Sequence, residues 1–122
     1  MTRARQTLGE IGENLACDEL TRRGYAIVAR RYRRRTGEID IIALDGATVV
    51  FVEVKTRAGD DYGSGADAIT WRKRRRMIGL ASTWVARERL HERPIRFDVV
   101  AIELTDDGPR IEVYQSAFDA SC

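Results

Sequence analysis

The stretch that decides the fold is GEIDIIALDGATVVFVEVKTR, residues 37–57. Two segments rich in β-branched and apolar residues, 38–44 and 48–55, flank Asp45-Gly46, a dipeptide that strongly favours a tight hairpin turn. Both segments are almost continuously apolar, which is typical of central strands covered on both faces. The sequence therefore predicts a β-hairpin in the middle of a sheet.

The segments on either side of this hairpin predict an α/β protein. In chain order they are a helix over residues 8–23 capped by Gly24, a strand over 25–29, a glycine-rich loop over 56–66, a helix over 67–92 stopped by Pro94, and strands over 96–104 and 111–114. The order is helix, three strands, helix and two strands. We expect a mixed central sheet flanked by helices.

Length and composition predict one domain over residues 1–122. Hydrophobic residues make up 43% and charged residues 33%, a globular balance that excludes a disordered chain. No apolar run is long enough to span a membrane, and the N-terminus carries no secretory signal, so we expect a cytoplasmic protein without a membrane partner. A single histidine leaves too few nitrogen and sulfur ligands for zinc, so any metal would be bound by oxygen.

The hairpin brings charged residues to one of its faces. Side chains alternate along a strand, so the length of the turn decides which of them coincide. A two-residue turn at Asp45-Gly46 and a four-residue loop both keep Asp40, Glu53 and Lys55 on one face, and the longer loop pairs Asp40 directly with Glu53. An odd-numbered loop would separate them.

Two interpretations of this cluster remain open from the residues alone. Glu53 and Lys55 would form an exposed ion pair on a solvated face, the usual role of Glu-x-Lys in a strand. The apolar surroundings weaken that interpretation, because two close, partly buried carboxylates require a compensating cation, and leave a catalytic or metal-binding site and a structural ion cluster equally open. Glu13 in the first helix is by itself interpreted as an exposed glutamate. Asp98 is expected to form a structural ion pair with a nearby arginine.

Arginine is concentrated in two clusters, residues 30–35 and 72–76, although the net charge is only +2. Such runs are usually solvated faces, but these two flank the carboxylates in sequence, which favours contact with phosphate groups. Trp71 is a candidate for stacking on a base, whereas Trp84 is expected in the core. The predicted nucleic-acid-binding residues are Arg31, Arg33, Arg34, Arg35, Arg57, Arg72, Lys73, Arg74 and Arg75.

Five short motifs resemble a known family. They are GExxA at residues 12–16, GEIDIIA at 37–43, FVEVKTR at 51–57, RFDVV at 96–100 and AF at 117–118. Together they resemble the YraN-like family of uncharacterised bacterial proteins, which is similar to archaeal Holliday-junction resolvases and belongs with the PD-(D/E)XK nucleases. One departure is Arg31, which stands where the family usually carries asparagine. We expect this to alter a loop conformation and to leave the catalytic residues intact.

This resemblance implies a restriction-endonuclease-like fold with a site made of Glu13, Asp40, Glu53 and Lys55. Asp40 and Glu53, with Glu13, would bind Mg²⁺ or Mn²⁺, and Lys55 would orient or deprotonate the attacking water. Lys73 matches a further polar helix residue of related nucleases. The implied activity is metal-dependent hydrolysis of phosphodiester bonds in nucleic acid, with branched DNA as the expected substrate.

A different class of function is a nucleic-acid-binding module that keeps the nuclease fold without turnover. All four catalytic positions are occupied, which favours the nuclease, since decay of such a site commonly removes a ligand. A protein-interaction scaffold is a third class and would lack salt-sensitive affinity for nucleic acid. Junction resolution would require a homodimer to cut two strands, although the sequence identifies no dimer interface.

Overall fold

The structure is a computed structural model that describes residues 6–59 and 69–120. Its element order is the α-β-β-β-α-β-β order predicted from the sequence, so the α/β class is confirmed. The elements are α1 (Leu8–Arg22), β1 (Ala26–Arg34), β2 (Gly37–Asp45), β3 (Thr48–Ala58), α2 (Trp71–Glu88), β4 (Ile95–Thr105) and β5 (Gly108–Phe118).

The five strands form one mixed sheet in the spatial order β1-β2-β3-β4-β5. Neighbouring strands are antiparallel except β3 and β4, which are parallel and whose connection includes α2. One buried cluster packs between the sheet and α2, and a second packs between the sheet and α1. The central strands are therefore covered on both faces, as the continuous apolar runs predict.

Side-chain caps set the ends of the helices. Thr7 begins α1 in a capping box with Glu10, and Gly24 follows the helix with a φ of 95°. The side chain of Thr70 caps the start of α2 by accepting a hydrogen bond from the backbone N–H of Lys73. The helix therefore begins later than the predicted residue 67; residues 67 and 68 lie outside the described part. The predicted end at residue 92 is wrong, because Arg89 adopts a left-handed conformation with φ 57°. Neither described helix is long and apolar enough to cross a membrane.

All five strands are longer than their sequence patterns indicate, and β1, β3 and β5 show the largest differences. Strand β1 continues through the arginine run as far as Arg34, because its backbone stays paired with β2 up to Gly37. Strand β3 continues to Ala58, which pairs with Leu104 of β4. The predicted loop therefore begins later, and residues 60–66 lie outside the described part. Strand β5 ends at Phe118 after a register shift in its pairing with β4. Backbone pairing, rather than side-chain pattern, sets these ends.

The β2–β3 hairpin turns on Gly46 and Ala47, one residue later than the predicted Asp45-Gly46 turn. Asp45 pairs with Thr48, and Gly46 takes a φ of 60° that favours glycine. The turn has two residues, so the even parity that keeps Asp40 and Glu53 together is retained. The register also matches the alternative in which those two carboxylates face each other.

Helix α1 approaches β3 most closely at Gly12. A Cβ atom on Gly12 would lie 2.7 Å from Cβ and 2.8 Å from Cγ2 of Thr56, and closer still to the Thr56 hydroxyl. A side chain at position 12 would therefore push α1 away from β3, because the interior between them is closely packed. Because Glu13 follows Gly12, this contact also sets the depth at which Glu13 lies.

Replacing Gly12 by alanine should lower the free energy of unfolding by about 1–3 kcal/mol through overpacking against Thr56. Gly79→Ala is the matched control: Gly79 lies in α2 with nothing within 4 Å of its would-be Cβ, so alanine should stabilise by about 0.5–1 kcal/mol. Urea unfolding followed by circular dichroism measures both. Equal stabilities for the two variants would contradict the close approach of α1 to β3.

Candidate functional site

Asp40 lies where β2 and β3 stop pairing. The ladder between these strands extends from the turn to Ile41 and Val52. At the next position Oδ2 of Asp40 accepts a hydrogen bond from the backbone N–H of Val54, with an N to O distance of 2.8 Å. The carboxylate therefore replaces a strand partner, and this bond holds Asp40 beside Glu53.

The alternation of side chains along β2 is broken at Asp40. Ile39 packs in the cluster under α2, whereas Ile41 packs in the cluster under α1, although a regular strand would place both on one face. Arg31 of β1 lies opposite Asp40, between two paired positions, and has a φ of 53°. Asparagine tolerates this left-handed conformation better than arginine does. Arg31 therefore affects a strand irregularity, not the loop that we expected.

Glu53 is 4% exposed and contacts two lysines. Nζ of Lys73, in the first turn of α2, donates a hydrogen bond to Oε1 of Glu53. Nζ of Lys55 lies 3.8 Å from the same oxygen. The structure thus brings Asp40, Glu53 and Lys55 together and adds Lys73. From the sequence, Lys73 is predicted only as a polar helix residue or a phosphate contact, because its contact with Glu53 depends on how α2 docks.

Burial and mutual charge shift the pKa values of this cluster. Burial, followed by the negative charge of Glu53, raises the pKa of Asp40 to about 7 from an ordinary 3.8. Burial and the adjacent ammonium of Lys73 lower the pKa of Lys55. Burial is the largest single influence on Lys73 and opposes its charge, but the hydrogen bond to Glu53 and the negative charges of Glu53 and Asp40 together raise the pKa of Lys73. The cluster therefore holds a carboxyl group that titrates near neutral pH and an amine of reduced basicity.

Glu13 is 6% exposed, so the interpretation of it as an exposed helical glutamate is wrong. Its carboxylate accepts hydrogen bonds from Nε of Arg30 at 3.0 Å and from Nε of Arg31 at 3.2 Å. Glu13 and Asp40 line the same cavity of about 350 Å³, together with Thr56. Glu13 is thus near Asp40 but is neutralised by two arginines of β1.

Within residues 6–59 and 69–120, no three His, Cys, Asp or Glu side chains form a group that could hold a metal ion. Asp40 and Glu53 are two carboxylates, which is the number that Mg²⁺ commonly takes from a protein while it keeps several waters. The raised pKa of Asp40 fits such an ion, since a cation relieves the repulsion between the two carboxylates. This pair therefore fits Mg²⁺ or Mn²⁺, whereas the paired Glu13 fits a direct ligand less well.

The predicted phosphate-binding arginines of β1 are mostly exposed. Arg33 pairs with Glu38 at 2.7 Å, and the Arg34 guanidinium lies over the ring of Tyr32, 5.0 Å from its centroid. Arg35 is exposed in the turn after β1. These side chains can exchange their contacts for phosphate, whereas Arg31 contacts the buried Glu13.

The remaining predicted basic residues lie on β3 and α2. Arg57 is half-buried near the end of β3, and Arg72 is exposed. The Arg74 guanidinium lies over Phe118, 5.7 Å from the ring centroid, and that of Arg75 lies over Trp71 at 5.6 Å. The cluster on α2 therefore divides between residues that pack on the protein and residues that face solvent.

Asp98, a third buried carboxylate, has a structural role. It is fully buried and accepts hydrogen bonds from Arg96 at 2.9 and 3.0 Å and from the backbone N–H of Ser116 at 3.1 Å. Arg96 also donates to Asp45 at 3.0 Å. The expected structural ion pair is confirmed.

The fold and the site define an α/β protein that carries a cluster of carboxylates and lysines where two central strands separate. Residues 12–102 match the family described as uncharacterised protein family UPF0102, and the chain belongs to this family. The resemblance to the YraN-like family is thereby confirmed.

Relatives from distant bacteria are similar over almost their whole length. A UPF0102 protein of Symbiobacterium thermophilum is 50% identical over 114 residues, which cover 93% of this chain and 97% of the relative. One of Geobacter metallireducens is 45% identical over 114 residues, 93% of each chain. One of Rhodococcus jostii is 48% identical over 112 residues, 91% of this chain and 95% of the relative.

Stability should fall with pH because of Asp40. The pKa of Asp40 is about 7 in the folded state against an ordinary 3.8, so the folded state binds the carboxyl proton of Asp40 more tightly than the unfolded state does. The resulting stabilisation is complete below about pH 4 and is lost as pH rises through about 7. Asp40→Asn keeps an oxygen acceptor for the N–H of Val54 but removes the titrating group. Between about pH 5 and 8 the free energy of unfolding of the wild type should therefore fall by about 1–3 kcal/mol relative to that of this variant. Urea unfolding in EDTA checks this, and parallel pH curves would refute it.

Proposed function

We propose that this protein is a metal-dependent endonuclease that hydrolyses phosphodiester bonds of nucleic acid, with branched DNA as its substrate. The observation that carries the proposal is the convergence of Asp40, Glu53 and Lys55 at one point, with Lys73 beside them. The resemblance of the motifs to PD-(D/E)XK nucleases and Holliday-junction resolvases supports it. The fold and the family name alone do not specify an activity.

Asp40 and Glu53 would hold Mg²⁺ or Mn²⁺. The bound ion would lower the pKa of a water and neutralise charge on the phosphate. The N–H of Val54 fixes the orientation of Asp40, so one ligand is positioned before any ion arrives. Glu13 lines the neighbouring cavity and would bind a metal-bound water there once Arg30 and Arg31 release its carboxylate.

The two lysines would take different parts in hydrolysis. Lys55, whose pKa is lowered, would orient the attacking water and accept its proton. Lys73, whose pKa is raised, would stay protonated and stabilise the negative charge that develops on the phosphate. This division rests on their environments, because the two side chains are otherwise chemically identical.

The exposed arginines would contact the phosphates on both sides of the cut. Arg33, Arg34 and Arg35 would do so from β1 and its turn, and Arg72 and Arg75 from α2. Such contacts position a nucleic acid without reading its sequence. Cutting both strands of a junction would also require a symmetric dimer of this chain.

A cleavage assay tests the proposed activity. Wild-type protein should nick branched, flapped or single-stranded DNA when Mg²⁺ or Mn²⁺ is present and should be inactive in EDTA. Lys55→Ala should slow cleavage by about 10²–10⁴-fold, the usual contribution of a positioned proton acceptor. Arg87→Ala, an exposed cation at the far end of α2, should leave the rate unchanged. Equal rates for wild type and Lys55→Ala would show that the nuclease activity is not this protein's.

One observation favours the second candidate, a nucleic-acid-binding module without turnover. Lys73 already neutralises Glu53, and Arg30 and Arg31 already neutralise Glu13, so the described site is balanced without a metal. A site kept only for binding would stay in this state. The two candidates differ in whether a divalent cation can compete with Lys73.

Lys73→Met measures that competition directly. Loss of the ammonium should tighten Mn²⁺ binding about tenfold, which corresponds to about 1.4 kcal/mol of removed electrostatic competition. Arg87→Met is the control on the same helix and should bind Mn²⁺ as the wild type does. Calorimetry without nucleic acid gives the affinities. If neither wild type nor Lys73→Met binds Mn²⁺, the non-catalytic module is the better description.

A further inference from the structure

Trp71 is the most exposed large hydrophobic side chain in the described part of the chain, at 65%. It is the first residue of α2. The other tryptophan, Trp84, is 6% exposed and packs edge-on against Phe51, with ring centroids 5.9 Å apart. Because the indole of Trp71 is exposed, it does not pack in the core, and core packing does not account for a tryptophan at this position.

The surroundings of Trp71 are cationic. The Arg75 guanidinium, one helical turn further on, lies 5.6 Å from the centroid of the indole ring. Arg72 and Arg76 are exposed on the same part of α2. Most of the indole stays accessible with Arg75 in place. An open aromatic ring among arginines is the composition of a surface that binds unpaired nucleic acid.

The fold joins this part of α2 to the arginine cluster of β1. A Cβ atom on Gly37, at the start of β2, would lie 3.8 Å from Cδ of Arg76 and 3.6 Å from Cδ1 of Leu80. The turn that contains Arg35 is therefore next to α2. Arg35 of this turn and the exposed Arg72 and Arg76 of α2 therefore form one basic surface, on the helix whose Lys73 contacts Glu53.

We propose that Trp71, together with Arg75, stacks on an unpaired base of a nucleic-acid strand whose phosphates lie along this basic surface. The substrate would then contain a single-stranded segment at the site, such as a flap or the unpaired strand at a branch. Bases within a duplex are stacked on both faces and leave no face for Trp71. The inference rests on the proposed nucleic-acid function and specifies the class of strand that the site takes.

Intrinsic fluorescence gives a direct readout, because the chain has only two tryptophans. Full-length protein is titrated in EDTA with single-stranded DNA, single-stranded RNA and duplex DNA of equal length. Single strands should quench the emission of wild type and of Trp84→Phe, whereas Trp71→Phe should show no quenching. Duplex should bind through its phosphates without quenching Trp71. The RNA and DNA arms show which sugar the strand carries.

Affinity supplies the second readout. Trp71→Ala should weaken binding of single strands by about 5- to 150-fold, the range measured for loss of one stacked base, and leave duplex binding unchanged. Trp71→Phe, which keeps an aromatic ring, should retain most of the affinity. Ile95→Ala removes another exposed hydrophobic side chain, 43% exposed on β4, and should have no effect.

Two results would overturn the inference. One is unchanged affinity of Trp71→Ala for single strands. The other is salt-insensitive self-association that is lost with Trp71, which would assign the ring to a protein contact. The assay needs no cation and no cleavage, so it separates the two proposals. Quenching without any cleavage would support the stacking inference and contradict the proposed nuclease activity. Cleavage of duplex DNA without quenching would support the nuclease activity and contradict the stacking inference.

Discussion

The two-residue turn of Gly46 and Ala47 sets the register on which the whole site depends. With Asp45 paired to Thr48, the ladder continues as far as Ile41 and Val52, so the next residues along the two strands are Asp40 and Glu53. A slip of one residue would turn every side chain of a strand to its other face. The buried apolar residues on both faces oppose such a slip. The same burial that stabilises the sheet therefore also holds the two carboxylates together.

The site occupies the place where this regularity ends. Strand β3 stays paired with β4 as far as Ala58 and Leu104, so Glu53 and Lys55 lie on a firmly held strand. Strand β2 leaves β3 at Asp40, and a side-chain hydrogen bond replaces the ladder. One carboxylate thus comes from a rigid element and the other from a divergent one. Asp40 lines the cavity beside this separation, whereas Glu53 stays buried.

Much of this architecture could be predicted from the sequence, because the apolar runs, glycines and capping residues act locally. The hairpin, the element order and the convergence of Asp40 with Glu53 followed from strand periodicity and turn parity. The position of the turn could not be predicted in this way, because Asp45 is held at the strand end by Arg96, which is far away in the sequence. The burial of Glu13 depends on how closely α1 meets Thr56. Such contacts are properties of packing and have no local signal.

The buried carboxylates of the described residues, Glu13, Glu53 and Asp98, each have an arginine or lysine partner from the chain itself. These three carboxylates therefore need no added counterion, in contrast to small zinc domains, whose folding free energy is largely metal-binding free energy. Under the proposed function, such a chain would fold before it binds its cation. Under that proposal, chelation would remove the cation without unfolding the protein, and a cell short of divalent ions would accumulate folded but inactive protein.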